Sequence, residues 1–211
     1  MKVLELYAGS RSIGKEAEKL GAEVFSSDIK DFGGIHYVAD ILDFDYNELP
    51  FVPDVIWASP PCTGFSVAAI GHHWTGGKGA YIPKTDTAKL GIKLLDKTLE
   101  IIEHFPKAVY WIENPRGLMR KMPQLDDLPR HTVTYCQYGD KRMKPTDVWT
   151  NCSSWTPKPM CKNGAPCHEA APRGARTGTQ GLKGAFERSI IPAALCREVM
   201  KASLKEVKKK L

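Results

Sequence analysis

The chain has 211 residues, of which 42% are hydrophobic and 26% are charged, and its formal net charge at pH 7 is +6. This composition is typical of a globular protein with one main domain and excludes a wholly disordered chain. The small excess of basic residues suits a polyanionic partner such as a nucleic acid.

The apolar runs of the sequence are short. The N-terminal MKVLELYAGS is interrupted too early for a secretory signal, and no run of roughly 18 apolar residues predicts a membrane-spanning helix. The six cysteines then indicate a reducing compartment, where thiols are more often catalytic, metal-bound or buried than disulfide-linked. We therefore expect a cytoplasmic monomer without a membrane partner.

Short apolar runs alternate with amphipathic helical patterns along the chain. The predicted elements are strand 3–7, helix 12–20, strands 23–27, 36–39 and 54–58, helix 86–105, strands 108–112 and 132–136, and helix 191–204. Strands that alternate with helices predict an α/β fold with a doubly wound, mostly parallel sheet covered by helices on both faces.

A glycine turn joins the first strand to the first helix. Gly9 and Gly14 allow a tight turn and a close approach of the backbone to a ligand. The spacing matches GxxxxGK, but Glu16 follows where a phosphate-binding loop has Ser or Thr for magnesium, which argues against an NTPase. A nucleoside cofactor is the other ligand for such a turn.

Two aspartates follow the next strands. Asp28 stands where an acidic residue binds ribose hydroxyls, and Asp40 is placed to accept from an adenine amino group. The alternative is that both carboxylates only cap turns.

Two later strands end in chemically reactive residues. The strand 54–58 runs into SPPCTGFS, which places Cys62 at its carboxyl end, and the strand 108–112 runs into Glu113 and Asn114. Ligands bind at this edge of open α/β sheets, so we expect the thiol and the carboxyl group in one cleft. A thiol nucleophile with an acid partner suits a substrate that contains a basic ring nitrogen. The alternatives are a buried structural cysteine and a turn-capping glutamate.

The stretch 63–85 is rich in glycine. It is too long for an ordinary connection, and its glycines disfavour a stable element. A long loop of this kind in a compact domain is usually either functional or disordered.

After residue 151 the sequence becomes rich in Pro, Gly, Cys and basic residues. Four side chains in the pattern C-x8-C-x5-C-H could coordinate tetrahedral zinc: Cys152, Cys161, Cys167 and His168. A metal would order a segment with few apolar residues, whereas the alternative is a set of free thiols on an irregular loop. Cys136 and Cys196 lie in apolar periodic segments and are predicted to be core residues.

The ordered motifs of the chain resemble those of cytosine-5 DNA methyltransferases. The resemblance rests on LYAGSRSIG, Asp28, Asp40, SPPCTGFS, WIENPRG and YCQYGDKRMKPT, with RSIIPAALCREVM similar to the closing motif. It extends from residue 3 to about residue 200. The C-terminal block is also similar to compact members in bacteriophage genomes, which would place the protein in the cytoplasm of a bacterial host cell.

The resemblance implies a Rossmann-like S-adenosylmethionine-dependent methyltransferase that acts on a flipped cytosine in duplex DNA. Cys62 would attack carbon 6 while Glu113 binds or protonates nitrogen 3. Lys144 stands where the family has a base-orienting arginine, with Arg142 close by, and Ser66 is a candidate contact to the DNA backbone. The implied cofactor contacts are Tyr7, Gly9, Ser10, Asp28, Ile29, Asp40, Ile41 and Pro60.

Several positions depart from the family pattern. Arg11-Ser12 replaces a second glycine pair, Pro115 replaces a valine, and Lys144 and Thr146 stand where two arginines are typical. The region of the usual target-recognition domain is short, which suggests a short target sequence or little specificity.

The resemblance predicts three parts of the chain. These are a catalytic domain at 1–150, a Cys-rich recognition insert at 151–187 and a C-terminal helix at 188–211 that returns to the catalytic domain. The insert would contact DNA through Arg173, Arg176 and Lys183, with Trp155 as a further candidate, and the alternative for each basic residue is a place on a solvated loop. The alternatives are a catalytically inactive nucleic-acid-binding protein, an RNA cytosine methyltransferase, and an amino-group methyltransferase, which would have an aromatic residue at position 62.

Overall fold

The structure is a computed structural model that describes residues 1–77, 80–170, 182 and 184–210. The strands are β1 (Lys2–Leu6), β2 (Glu23–Asp28), β3 (Tyr37–Val38), β4 (Val55–Ala58), β5 (Trp74–Gly77), β6 (Ala80–Pro83), β7 (Val109–Pro115), β8 (Arg130–Thr134) and β9 (Pro145–Thr150). The helices are α1 (Ser12–Lys19), α2 (Ile70–His73), α3 (Asp86–His104), α4 (Ala185–Ser189) and α5 (Ala193–Lys210).

A seven-stranded sheet forms the centre of the molecule, in the order β3-β2-β1-β4-β7-β9-β8. The five strands from β3 to β7 are parallel, and β9 runs antiparallel to both β7 and β8. The chain order reverses between β1 and β4, so the loops after these two strands diverge and leave a crevice at the carboxyl edge. The predicted mostly parallel α/β sheet is confirmed.

Helices cover both faces because the side chains of each strand alternate between them. On one face, Trp57 of β4 and Trp111 of β7 are buried and stack at 6.2 Å in the cluster that includes α1 and α5. On the other face, Ile56 and Ile112 pack in clusters that include side chains of α3, such as Ile101. The sheet is therefore doubly wound, as predicted.

The segment 63–85 contains regular elements, so the prediction that it lacks them is wrong. A short 3-10 helix at Thr63–Phe65 and helix α2 precede β5 and β6, which pair as an antiparallel hairpin. Buried Trp74 donates from Nε1 to the Gly64 carbonyl at 2.6 Å, and Phe65 packs within the same cluster. These aromatic anchors hold the segment against α3 despite its glycine content.

The C-terminal part of the chain returns to the glycine turn. Helix α5 packs on α1, where the Ile191 amide donates to Ser12 Oγ at 3.2 Å and Arg197 donates to Glu16 at 3.1 Å.

The division into catalytic domain, insert and C-terminal helix stays a prediction. Among the helices of the described ranges, none has the length and apolarity that crossing a membrane requires.

Candidate active site and cysteine cluster

The glycine turn after β1 has an unusual backbone. Gly9 adopts a left-handed conformation with φ of 47°, which glycine reaches without steric cost. Tyr7 and Arg11 also have positive φ, at 55° and 54°, where an ordinary residue is strained by roughly 1–2 kcal/mol. Arg11 thus adopts a conformation that favours glycine, at one of the positions where the cytosine-5 DNA methyltransferases that the sequence resembles usually have glycine. Strain of this kind is concentrated at ligand sites.

Glu5 holds the start of α1, a role that sequence analysis missed. Its buried carboxylate accepts from the amides of Ile13 at 3.1 Å and Gly14 at 3.0 Å, and Ser26 Oγ donates to it at 2.8 Å. Burial raises the pKa of this carboxyl group, and the hydrogen bonds oppose that effect. A side chain at Gly14 would put its Cβ 2.6 Å from Glu5 Oε2. These amides are therefore occupied by a carboxylate, which further argues against a phosphate-binding loop.

The two aspartates lie at the ends of β2 and β3 and bond the backbone. Asp28 Oδ2 accepts from the Gly9 amide at 2.9 Å, and Asp40 Oδ1 accepts from the Leu42 amide at 3.0 Å. Ile29, beside Asp28, leaves 62% of its surface exposed. Both aspartates therefore cap turns. Each carboxylate can also accept a hydrogen bond from a ligand, because it has further acceptor capacity.

The remaining expected cofactor residues differ in exposure. Ser10 is half-buried and pairs with Ser12, whereas Ile41 is buried in the core cluster that includes α3. The Tyr7 hydroxyl contacts α3 through the Leu94 carbonyl at 3.1 Å. Burial raises the pKa of the Tyr7 hydroxyl most, and the negative charge of Asp40 raises it further. Asp40 and Tyr7 therefore share one region at the end of β1.

Neighbouring strands β4 and β7 bring the thiol and the carboxyl group together. Ala58 pairs with Ile112 in the parallel register, so the residues that follow both strands emerge at the same edge. Asn114 Nδ2 donates to the buried Pro60 carbonyl at 2.8 Å and ties the two strand ends directly. Cys62 then lies at the mouth of the crevice with its side chain exposed.

Glu113 is buried, with 5% of its surface exposed. Tyr135, in the 3-10 helix Tyr135–Tyr138 that follows β8, donates from its hydroxyl to Glu113 Oε1 at 3.0 Å. Burial and the neighbouring carboxylate raise the pKa of Tyr135 well above its usual value. The hydroxyl therefore stays protonated and orients the carboxylate. Sequence analysis missed this residue, although it lies in the motif YCQYG.

The thiol of Cys62 responds to the charges around it. Burial among the surrounding protein raises its pKa most, the carboxylate of Glu113 raises it further, and Lys144 and Arg188 lower it. Cys62 is exposed as a residue, but the protein packed around its thiol disfavours the charged thiolate. Cys62, Glu113 and Lys144 are thus close enough to influence one another.

Lys144 and Arg142 differ in their surroundings. Lys144 Nζ lies 4.6 Å from the Tyr135 ring centre and donates to the Arg188 carbonyl at 2.8 Å, and burial lowers its pKa. Arg142 forms a fork with Asp140 and donates to the Ile190 carbonyl at 3.2 Å. The charge of Arg142 is therefore balanced locally, while Lys144 acts on the thiol.

Helix α4 lies between Lys144 and the glycine turn. The Phe186 ring packs on Phe32 at 5.5 Å, and both rings remain more than two-fifths exposed. Ser189 Oγ lies 3.9 Å from where a Cβ on Gly9 would stand. These aromatic residues border the expected cofactor region, and sequence analysis had no periodic signal with which to find them.

The structure corrects the expected set of metal ligands. The clustered side chains are Cys136, Cys161, Cys167 and His168, whose ligand atoms all lie within 4.8 Å of one another. Cys152 lies elsewhere because it is buried in the core beside α5, with its amide bonded to Thr150 Oγ1 at 3.0 Å. Cys136 is buried as predicted, but it also joins the cluster.

The candidate DNA contacts are described only in part. Ser66 is half-buried at the end of the 3-10 helix that follows Cys62. Arg173, Arg176 and Lys183 lie outside the described residues. Trp155 is buried and donates to Glu198 at 2.9 Å, so the expectation that it contacts DNA is wrong.

Comparison with known proteins gives a relative that is similar over nearly the whole chain. The chain is 31% identical over 216 residues to a probable DNA (cytosine-5)-methyltransferase of Frog virus 3 (isolate Goorha), in a match that covers 95% of this chain and 99% of the relative. No family model matches the chain.

Two solved structures are also similar. The Entamoeba histolytica methyltransferase EhMeth has a TM-score of 0.51 and 13% identity, over 71% of this chain and 52% of that one. The S. pombe Dnmt2 methyltransferase has a TM-score of 0.49 and 17% identity, over 71% of this chain and 50% of that one. The chain thus spans about half the length of these proteins, and the first likeness supports the methyltransferase fold.

Proposed function

The chain belongs to the cytosine-5 DNA methyltransferase family, and from this premise we propose that it transfers a methyl group from S-adenosylmethionine to carbon 5 of cytosine in DNA. The observation that carries the proposal is the convergence of Cys62, Glu113 and Lys144 at the carboxyl edge of β4 and β7. A catalytically inactive nucleic-acid-binding protein would not require this combination of nucleophile, acid and cation.

The residues of the glycine turn fit a nucleoside-containing methyl donor. Asp28 and Asp40 can accept from hydroxyl and amino groups, and the exposed side chain of Ile29 offers an apolar surface for a base. The buried Asn114 Oδ1 has no hydrogen-bond partner among the described residues, which is costly unless a ligand donates to it. S-adenosylmethionine, when bound, supplies the electrophilic methyl group.

Cys62 activates the base by addition. Carbon 5 of an unmodified cytosine is a poor nucleophile, and covalent addition divides one difficult step into easier ones. Cys62 releases its proton to solvent and its sulfur forms a bond to carbon 6, and the electron pair of the double bond between carbons 5 and 6 then makes carbon 5 nucleophilic. Lys144 favours the thiolate because its positive charge lowers the pKa of Cys62. After methylation, carbon 5 gives its proton to solvent, the double bond between carbons 5 and 6 re-forms, and Cys62 leaves carbon 6 as the thiolate.

Glu113 positions the ring during addition. Tyr135 donates to Glu113 Oε1, which leaves Oε2 to take up a proton from solvent and donate it to nitrogen 3 of the base. A hydrogen bond or proton at nitrogen 3 stabilises the negative charge that thiolate addition places on the ring. The buried carboxyl group thus acts as the acid partner of the thiol.

The target cytosine must leave the duplex to reach this cleft. Extrusion of a base costs a few kcal/mol, which contacts to the surrounding DNA must offset. We assign such contacts to Ser66, next to the Cys62 loop, and to Arg173, Arg176 and Lys183 of the insert. Action as a monomer in the cytoplasm, in a bacterial host cell if the phage resemblance holds, stays a prediction.

Bisulfite sequencing tests the proposal directly. The purified chain is incubated with S-adenosylmethionine and either duplex DNA or RNA of the same base sequence. We expect 5-methylcytosine in DNA, its absence with Cys62→Ser, and its retention with Cys152→Ser, a matched change outside the cleft. Methylation confined to RNA would assign the RNA alternative, and DNA methylation by Cys62→Ser would contradict the mechanism.

A further inference from the structure

A cluster of three cysteines and one histidine lies outside the catalytic cleft, at the end of β8. We infer that Cys136, Cys161, Cys167 and His168 bind one structural zinc ion that fastens the Cys-rich segment to the sheet. Their ligand atoms all lie within 4.8 Å of one another, although they come from two separate parts of the chain.

The two sulfur–nitrogen distances within the cluster match the edges of a tetrahedral zinc site, and the sulfur–sulfur distance between Cys161 and Cys167 is about 0.6 Å shorter than such an edge. Cys161 Sγ lies 3.2 Å from Cys167 Sγ and 3.5 Å from His168 Nδ1, and Cys167 Sγ lies 3.7 Å from the same nitrogen. Ordinary zinc bond lengths give edges of about 3.8 Å between two sulfurs and about 3.5 Å between sulfur and nitrogen. A disulfide would instead require sulfurs at about 2.05 Å.

The chemistry of the ligands favours zinc. Three thiolates with one imidazole form a soft, tetrahedral set that selects zinc over magnesium or calcium. Cys167 and His168 are adjacent, and they converge because His168 faces the cluster with Nδ1, the ring nitrogen nearer to the backbone. Four protein ligands leave no open position, which is typical of a structural rather than a catalytic site.

Hydrogen bonds already hold the ligands in place. The Cys161 amide donates to Thr134 Oγ1 at 2.9 Å, and Gln137 Nε2 lies 3.5 Å from Cys167 Sγ, where it can donate to a thiolate. The Glu169 amide donates to the Lys141 carbonyl at 2.9 Å. Such outer contacts orient metal ligands and strengthen binding.

The segment needs an anchor of this kind. Residues 156–170 are mostly polar, Pro or Gly, so few side chains are available for an apolar core. Zinc would bind this segment to Cys136, in the 3-10 helix that also contains Tyr135. Because Tyr135 orients Glu113, the ion would also stabilise one wall of the cleft, and this second consequence rests on the proposed function.

Zinc content tests the site in the full-length chain. Protein purified under reducing conditions without added metal should contain about one zinc per chain by elemental mass spectrometry. Cys167→Ser and His168→Ala should lose it, and their zinc affinity in a chelator competition should fall by more than about 100-fold, because outer-sphere partners alone change affinity up to that much. Cys152→Ser is the matched control and should keep the ion.

The absorption spectrum of bound Co²⁺ distinguishes a tetrahedral thiolate site from adventitious metal binding and from the loss of a folded structure. Co²⁺ added to metal-free wild-type protein should give the intense visible bands of tetrahedral thiolate coordination, and exposed Cys167 can be replaced without disturbing the core. A folded wild-type chain that binds neither metal would overturn the site, as would equal zinc in Cys167→Ser and Cys152→Ser. Metal content is independent of methylation, so failure of the proposed function would leave this result interpretable.

Discussion

At the scale of single residues, the cleft controls the protonation of one thiol. Burial and Glu113 raise the pKa of Cys62, whereas Lys144 and Arg188 lower it. In the free protein the thiol is therefore mostly protonated at neutral pH, and the reactive thiolate becomes more abundant as the pH rises towards that raised pKa. Cys62 and Glu113 were predicted from strand ends and Lys144 from the family resemblance, but the influence of Arg188 and the balance of these charges required the folded structure.

The reactivity of Cys62 should therefore increase with pH. Alkylation by iodoacetamide should rise by about tenfold per pH unit below the pKa of Cys62. Glu113→Gln should move the profile to lower pH and Lys144→Met to higher pH, because they remove opposite charges. Peptide mass spectrometry of the alkylated Cys62 peptide checks this. Identical profiles for both variants would contradict the shared electrostatic site.

Tyr135 is the positioning residue of Glu113. Tyr135→Phe removes the hydrogen bond to the carboxylate, and bonds to charged groups contribute about 1.5–3 kcal/mol. We expect kcat to fall roughly 10–100-fold with little change in KM for DNA, since the bond orients the acid rather than binding the duplex. Steady-state kinetics measure this.

The matched control for Tyr135→Phe is Tyr138→Phe on the same 3-10 helix, whose hydroxyl donates to Glu198 instead. It should keep kcat within a few-fold. Equal losses in both variants would indicate a general structural effect and refute the role assigned to Tyr135.

At the scale of elements, the strand and helix pattern was predictable where the sequence is strongly periodic. The strands β1, β2, β4 and β7 and the helix α3 fall within a few residues of their predicted bounds. Strand β9 was missed: Pro145 and Thr146 end the motif YCQYGDKRMKPT, and the four residues that follow are too few to show a periodic pattern. The hairpin β5–β6 was missed because its stability comes from the long-range burial of Trp74, which no local pattern reveals.

The cysteine cluster shows the same limit of sequence analysis. Spacing alone assigned Cys152 as a ligand because it begins the Cys-rich segment. The end of β8 brings Cys136 to the cluster instead, although the two residues Cys136 and Cys161 are far apart in sequence. Ligand identity thus depended on strand order, which spacing does not contain.

The loop after Cys62 packs against the loop after Glu113 through a glycine. A Cβ on Gly117 would lie 2.4 Å from the Phe65 carbonyl oxygen, a backbone atom that cannot move easily. Gly117→Ala should therefore destabilise the protein by about 1–3 kcal/mol and displace the Cys62 loop. Chemical denaturation and methylation rate together measure this.

Gly71→Ala is the control for Gly117→Ala because its Cβ would meet nothing within 4 Å. The free energy of unfolding of Gly71→Ala should therefore differ little from that of the wild type. A Gly117→Ala protein with wild-type stability and activity would show that the two loops are not tightly packed.

At the scale of the whole molecule, the net charge of +6 predicts electrostatic attraction to DNA. The logarithm of the DNA association constant should fall linearly with the logarithm of salt concentration, with a slope of about −0.9 per neutralised phosphate. Arg173→Gln with Arg176→Gln should make the slope shallower by roughly 0.9 per lost contact. Fluorescence anisotropy at several salt concentrations measures the slope.

Lys205→Gln on α5 is the charge-matched control for the insert and should leave the slope close to that of the wild type. If this variant and the insert variants change the slope equally, the insert is not the specific DNA contact.

Covalent trapping is the most direct test of the central claim that Cys62 attacks the base. Duplex DNA with 5-fluorocytosine at the target prevents loss of the substituent at carbon 5, so the bond from Cys62 to carbon 6 cannot break after methylation. In the presence of S-adenosylmethionine, we predict one stable protein–DNA adduct, mapped to the Cys62 peptide by mass spectrometry and absent with Cys62→Ala. An adduct on another cysteine, or trapping that persists in Cys62→Ala, would contradict the account.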